Sequence, residues 1–129
     1  MDVAALGKDV GGGAYGRPFS GIPARRYSWS EDIAQEIITA VVHVADELAD
    51  LRLRESDDRG ALWAATRGLQ VAREAEQLWR LRFRAHALLG EERELKATIR
   101  SVEAMLLDLG YAMEAETSGT LRLLQMAKR

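Results

Sequence analysis

Apolar residues recur at helical spacing through most of the chain, from about residue 28 to its end. In the first stretch they follow one another at steps of four, four, three, four and three, which places on one helix face Ile33, Ile37, Val41, Val44, Leu48 and Leu51. Ser28 and Glu31 have the spacing of a capping box, so this helix is predicted to run from Ser28 to about Arg54. No convincing strand pattern occurs, and the predicted fold class is all-α.

The second predicted helix has Ser56 as its N-cap and carries small residues on one side, so that a neighbouring helix can approach closely. That side consists of Ala61, Leu62, Ala65, Gly68, Leu69 and Ala72. Trp63 projects roughly opposite to them. A tryptophan in this position either meets a neighbouring helix or lies at an interface with another protein.

The third helix, predicted from about Glu74 to Leu89, has two apolar stripes. One contains Leu78, Leu81, Ala85, Leu88 and Leu89, and the other contains Trp79, Phe83 and Ala87. Because arginines separate the stripes, this helix is predicted to have neighbours on two sides.

Two further helices follow, each introduced by a turn. Gly90 is a natural residue to end the third helix. The fourth is predicted to end before Gly110 and to bury Leu95, Ile99, Val102, Leu106 and Leu109. Thr117 or Ser118 could cap a short last helix, which would bury Leu121, Leu124 and Ala127.

The stretch that begins at Ser56 is echoed by the stretch that begins at Gly90, after an interval of about 34 residues. This is the length of a tetratricopeptide (TPR) unit, a pair of antiparallel helices that buries its apolar face by stacking on neighbours. We therefore expect a TPR-like, right-handed stack of about five main helices over residues 28–129.

Residues 1–27 contain both prolines and more than half of the eleven glycines, and they are predicted to form an irregular arm. Gly11, Gly13 and Gly16 match a dinucleotide-binding pattern, but no strand precedes them and no β-α-β unit exists. A flexible arm is the preferred interpretation.

The composition of the chain argues against several classes of function. The net charge of −2, from 18 basic and 20 acidic residues, gives no overall attraction to nucleic acid or to a membrane. The chain has no cysteine, no apolar run long enough to span a bilayer and no evident signal peptide, so a cytoplasmic location is expected. No cofactor is indicated.

Candidate catalytic groups all have a simpler interpretation. His43 with Asp46 or Glu47 supplies too few metal ligands and is expected to be a solvated surface residue. His86 is expected to be a partly buried structural histidine. Paired carboxylates fall in the first turns of helices, where they favour the helix dipole, and the chain is predicted not to be an enzyme.

The candidate interaction surface consists of Trp63, Arg67, Arg80 and Arg84. Arg80 and Arg84 lie one turn apart on a face that is expected to be exposed, and they could bind an acidic partner or phosphate groups. Alternatively, they are solvated and balanced by nearby glutamates.

Several segments, in this order and spacing, resemble the bacterial transcriptional activator domain, the helical TPR-like module of actinobacterial antibiotic-regulatory proteins. They are Gly16–Gly21, Arg26–Glu31, Gly60–Leu69, Glu76–Leu81 and Glu114–Thr117, and the resemblance covers about residues 16–129. In that family the domain usually follows a DNA-binding winged helix. Residues 1–27 are too few to form one and have no recognition helix, so the family's DNA binding is not carried over to this chain.

The resemblance implies a regulatory module that presents a helical surface to a DNA-binding domain, to RNA polymerase or to a second copy of itself as a homodimer. The alternative is a TPR-like adaptor outside transcription that binds a peptide or a small ligand.

Overall fold

The computed structural model describes the backbone of residues 24–127 and the side chains of residues 30–127. These residues form five α-helices and no strand, which confirms the all-α prediction. The helices are α1 (Ala24–Arg54), α2 (Asp58–Val71), α3 (Glu76–Leu89), α4 (Glu92–Leu109) and α5 (Ala115–Ala127). None of these helices combines the length and the apolar character needed to cross a membrane.

The chain divides into two compact units, Met1–Thr39 and Ala40–Arg129. The second contains the C-terminal part of α1 together with α2–α5. Most of the predicted arm, including Gly11, Gly13 and Gly16, lies outside the described residues. Its last four positions do not continue the arm, because α1 already begins at Ala24, one turn before the predicted start at Ser28.

Ser56 was predicted to open α2, but the structure uses it to close α1. Its backbone has a positive φ of 62°, and Asp57 N donates back to Arg52 O over 2.7 Å, which satisfies a carbonyl of the last helical turn. Asp57 is the N-cap of α2 instead, and its carboxylate accepts a hydrogen bond of 3.0 Å from Gly60 N. The cap is therefore one residue later than predicted.

Two other predicted helix starts are wrong. Residues 72–75 form the turn between α2 and α3, so α3 begins at Glu76 and not at Glu74. Thr117 and Ser118 lie inside α5, which begins at Ala115. Their backbone amides donate to Glu114 O over 3.0 and 3.1 Å, so Glu114 supplies the carbonyl that starts this helix.

The third helix, α3, is the centre of the second unit, as its two apolar stripes predict. It packs against α2, α4 and α5. Leu78 and Phe83, one from each stripe, are fully buried. Trp79 is also buried, and its indole Nε1 donates to Arg73 O over 2.7 Å. Arg82 lies over the Trp79 ring, and its partial burial lowers the pKa of the guanidinium.

The small face of α2 allows the close approach that the sequence predicts. Gly68 lies against Leu78 of α3 and Ala45 of α1. A Cβ atom at Gly68 would come within 2.6 Å of Leu78 Cδ1 and 2.7 Å of Ala45 Cβ. Three helices therefore meet at a position that has room only for a hydrogen atom.

Several residues predicted to be buried are not. On α1, Ala45 and Ala49 are buried, whereas Val44 is 62% exposed and Leu51 is 44% exposed. At the ends of α3 and α5, Ala87, Leu88 and Ala127 are exposed. Leu121 and Leu124 of α5 are only half-buried. No described helix fully covers these positions.

Replacing Gly68 by alanine is expected to lower the free energy of unfolding by about 1–2 kcal/mol, because overpacking outweighs the gain in helix propensity. Gly119→Ala is the control: it also lies inside a helix, but its Cβ would meet open space, and we expect a gain of up to about 1 kcal/mol. Urea unfolding measures both changes. Effects of the same sign would contradict the close packing at Gly68.

Candidate interaction surfaces

Trp63 lies at the centre of an exposed cluster of one aromatic ring and two guanidinium groups. Its side chain is on α2 and is 57% exposed. The guanidinium carbon of Arg67, one helical turn further along α2, lies 5.8 Å from the ring centroid, and that of Arg52 on α1 lies 5.6 Å away. These distances are within the range of cation–π attraction, which contributes about 0.5–1 kcal/mol at an exposed site.

The turn between α1 and α2 holds Arg52 in place beside the ring. Arg52 donates from Nη1 to Gly60 O over 3.1 Å, and its Nε lies 4.0 Å from Asp57 Oδ2. A Cβ atom at Gly60 would overlap the Asp57 carboxylate and approach Arg52 Cδ to 2.9 Å. Gly60 is therefore the residue that lets the helix cap and the arginine share this space.

Arg80 is not the exposed residue that the sequence predicts. Only 17% of its side chain is accessible, and its Nη1 donates to Glu114 Oε1 over 2.9 Å and to Thr117 Oγ1 over 3.0 Å. Its Nη2 lies 3.4 Å from Glu116 Oε2. Arg80 thus joins α3 to the first turn of α5, and its charge is balanced within the domain.

A second bond strengthens this junction from the start of α3. The buried carboxylate of Glu76 accepts a hydrogen bond of 3.0 Å from Glu114 N. Glu114 therefore contacts α3 through its backbone amide and its side chain, while its carbonyl starts α5. In the sequence Glu114 stands out only as part of the segment Glu114–Thr117, although its separation of 34 residues from Arg80 equals the repeat interval.

A groove of about 540 Å³ lies between α3 and α5, next to this junction. Arg80 and Arg84 line one wall, and Glu116, Gly119, Thr120, Arg122 and Leu123 line the other. Arg84 and Arg122 are exposed and form no ion pair with any described residue. The four predicted residues thus belong to two places: Trp63 and Arg67 to the aromatic cluster, Arg80 and Arg84 to the groove.

His86 is buried, as expected, and belongs to a charged network at the turn between α3 and α4. Its Nδ1 lies 3.0 Å from Glu91 Oε1, and Arg59 donates to Glu91 Oε2 over 2.9 Å. The hydrogen bonds from His86 and then from Arg59 lower the pKa of Glu91 below its ordinary value. His43 is exposed beside Glu47, also as expected.

Within residues 30–127, no three histidine, aspartate or glutamate side chains are grouped as a metal site would require. Comparisons of the chain with protein-family models, with curated proteins and with solved structures gave no match. The candidate interaction surfaces are therefore described from the geometry of this chain alone.

Arg80→Met is expected to lower the free energy of unfolding by about 1–3 kcal/mol, because buried Thr117 and the Glu114 carboxylate lose a charged donor. Relative to the wild type, hydrogen exchange in this variant should accelerate more for the backbone amides of α5 than for those of α2. Arg84→Met, one turn further along the same helix, is the control and should change stability by less than about 0.5 kcal/mol. Equal losses in the two variants would contradict a special role for Arg80.

The lowered pKa of Glu91 predicts how stability depends on pH. Since the unfolded glutamate has the higher pKa, its contribution to folding is complete above its ordinary value of 4.5 and is lost as the pH falls to the lowered value. Glu91→Gln should therefore flatten the fall in the free energy of unfolding below about pH 5, measured by urea denaturation. Glu103→Gln, an exposed change on α4, should leave that fall intact. Identical pH profiles for Glu91→Gln and the wild type would refute the assignment.

Proposed function

We propose that the chain is a non-enzymatic, helical protein-interaction module of a bacterial transcriptional regulator, built as a TPR-like stack. In this role it presents the Trp63 cluster to RNA polymerase or to the DNA-binding domain of the regulator, in the cytoplasm. It contacts protein, and neither DNA, membrane nor cofactor. The observation that carries the proposal is the exposed Trp63 ring, with the guanidinium groups of Arg52 and Arg67 at 5.6 and 5.8 Å from its centroid.

Tryptophan and arginine are the residue types that most often dominate the energy of protein interfaces. In this cluster both guanidinium groups are positioned within the chain, because Arg52 is bonded to Gly60 O in the first turn of α2 and Arg67 lies 5.8 Å from the Trp63 ring centroid. A partner that docks on the ring therefore pays little further side-chain entropy. The exposed part of the ring supplies the apolar area, and the guanidinium groups supply hydrogen-bond donors around it.

Two observations support a TPR-like stack. Five of the side-chain hydrogen bonds between the α2–α3 segment and the α4–α5 segment connect residues separated by 32, 34, 35, 37 and 38 positions, close to one repeat length. In addition, α2 and α4 begin about 34 residues apart, and α3 packs between them. Such stacks serve mostly as binding surfaces.

The segments that resemble the bacterial transcriptional activator domain coincide with these features. Gly60–Leu69 contains both Trp63 and Arg67, and Glu76–Leu81 contains both Glu76 and Arg80. Glu114–Thr117 supplies their partners at the start of α5. The resemblance and the polar junctions of the domain therefore involve the same residues, which favours a regulator over an unrelated helical adaptor.

Trp63→Ala tests the proposal. We expect it to weaken binding to purified actinobacterial RNA polymerase, or to a winged-helix domain of this family, by at least about tenfold in surface plasmon resonance. The helix content should not change, and the free energy of unfolding should fall by about 1 kcal/mol or less, because the ring is mostly exposed.

Tyr111→Ala, which removes another exposed aromatic side chain from outside the cluster, should leave binding intact. The wild-type chain alone should give no sequence-specific shift of promoter DNA. Failure of the wild type to bind either protein probe, or equal binding by the Trp63 variant, would reject the proposed role.

The groove between α3 and α5 favours the second candidate, an adaptor for an acidic peptide. Arg84 and Arg122 are its exposed cations, and Thr120 adds a hydroxyl group. An acidic peptide whose binding is lost with Arg84→Glu and retained with Trp63→Ala would identify this function instead of the regulatory one.

A further inference from the structure

The groove between α3 and α5 changes in character along its length. Arg80 bonds to the start of α5, whereas Ala87, near the end of α3, shares a smaller cavity with Leu124 and Ala127 near the end of α5. The two helices therefore run side by side in the same direction. Arg84 lies one turn after Arg80, so it faces the middle of α5, beyond the polar junction that closes one end of the groove.

The face of α5 that lines the groove follows helical spacing. Glu116, Gly119, Thr120 and Leu123 recur at steps of three, one and three, with Arg122 at the edge. The hydroxyl group of Thr120 donates to Glu116 O over 2.9 Å, so its oxygen remains free to accept a hydrogen bond. Leu123 is 69% exposed. Along the groove, this face thus offers acceptors first and an apolar surface further on.

Gly119 is the one described glycine for which the fold gives no reason. Gly90 and Gly110 have positive φ angles, and a Cβ atom at Gly60 or Gly68 would overlap its neighbours. The φ of Gly119 is not positive, and a Cβ atom there would meet nothing within 4 Å. Glycine is also one of the least favourable residues inside a helix. Its position beside an open groove lets a bound molecule approach the bare backbone of α5 closely.

Arg84 and Arg122 are the two cations that the groove leaves unmatched. Both are exposed, and neither forms an ion pair among the described residues. An acid group between the two guanidinium groups would accept hydrogen bonds from both. The carboxylate of Glu116, which lines the same groove one turn before Gly119, repels a second negative charge. The groove therefore fits a molecule with one acid group better than a peptide with several.

We propose that this groove binds a small amphipathic organic anion, with its acid group between Arg84 and Arg122 and its apolar body against Leu123 and the backbone of Gly119. The volume of about 540 Å³ is within the range of sites that hold small organic molecules. This site does not depend on the aromatic cluster of the proposed function, which lies on α1 and α2. Either proposal can fail while the other holds.

The fluorescent dye anilinonaphthalene sulfonate is the probe, because it joins one sulfonate and one N–H donor to apolar rings. Phenylnaphthylamine, the same molecule without the sulfonate, is the neutral control. Fluorescence titration of the full chain should show saturable binding of the sulfonate at one site, with a dissociation constant on the order of 10–100 µM. The neutral dye should bind at least about tenfold more weakly, since it lacks the charge-assisted hydrogen bonds.

Replacing either unmatched cation tests the position of the acid group. Arg84→Met and Arg122→Met should each weaken binding of the sulfonate at least about tenfold and leave the neutral dye unaffected. Arg100→Met, which removes an exposed cation of α4 outside the groove, is the matched control and should change neither. Undiminished binding of the sulfonate by both groove variants would overturn the proposal, as would a wild type that shows no saturable binding up to about 0.3 mM dye.

Gly119→Ala tests the close approach to the backbone. The added methyl group fills space that the ligand needs, so binding should weaken at least about fivefold, although the same change is expected to stabilise the helix. In NMR spectra of the wild type, the dye should shift the backbone amides of Gly119 and Thr120 most. Unchanged binding by this variant, or largest shifts around Trp63 or on α1, would overturn the site.

Competition distinguishes a small anion from an acidic peptide. At physiological salt, octanoate, an amphipathic monocarboxylate, should displace the dye at a lower concentration than hexaglutamate does, because Leu123 contacts an apolar body and Glu116 repels additional charge. Displacement by hexaglutamate at the lower concentration would overturn the choice of ligand and favour the acidic-peptide adaptor.

Discussion

Burial of α3 is the constraint on which the rest of the second unit depends. Leu78 and Phe83 lie on different stripes of this helix and both are fully buried, so α2, α4 and α5 must cover it from several directions. On the covered faces of this helix, few polar groups can reach water. Yet α3 carries Glu76, Arg80 and His86, and each of these must find a partner inside the domain.

The partners come from segments that follow α3, and this determines where those segments lie. Glu76 and Arg80 bind the residues that begin α5, and His86 binds Glu91 just before α4. A partly exposed ion pair contributes little net stability, but an unpartnered buried charge is costly. The polar junctions thus act mainly by making other placements of α4 and α5 unfavourable, while the apolar contacts supply most of the stability.

Much of this arrangement could be predicted from the sequence, because it depends on periodicity and on local chemistry. The two stripes of α3, the small face of α2 around Gly68 and the end of α4 before Gly110 all follow from residue spacing. Helix starts were less predictable, since Ser56 and Asp57 are both good capping residues and the choice depends on how α1 ends. The low exposure of Arg80 depends on its bond to Glu114, which lies 34 residues away in the sequence. Only the folded chain brings the two together.

The surroundings of Trp63 could also be predicted only in part from the sequence. The sequence indicated that it faces away from the packing side of α2, and its exposure agrees. What the sequence could not supply was Arg52, because a cation–π contact between two helices depends on the angle of the α1–α2 turn and not on spacing. The conformation of this turn depends on Gly60, which has no side chain and so leaves room for both Asp57 and Arg52.

The side chains that α1 exposes depend on those that it packs against α2. Gly68 brings α2 so close that only small residues fit between the helices, and Ala45 and Ala49 occupy that face. The larger side chains of α1, Val44 and Leu51, are left on the neighbouring face without a partner among the described helices. The side chain of Arg52, on the same helix, contacts the Trp63 ring and not these apolar side chains. The same close contact that stabilises the domain therefore exposes an apolar surface beside the aromatic cluster, and the engaged Arg52 keeps the two surfaces distinct.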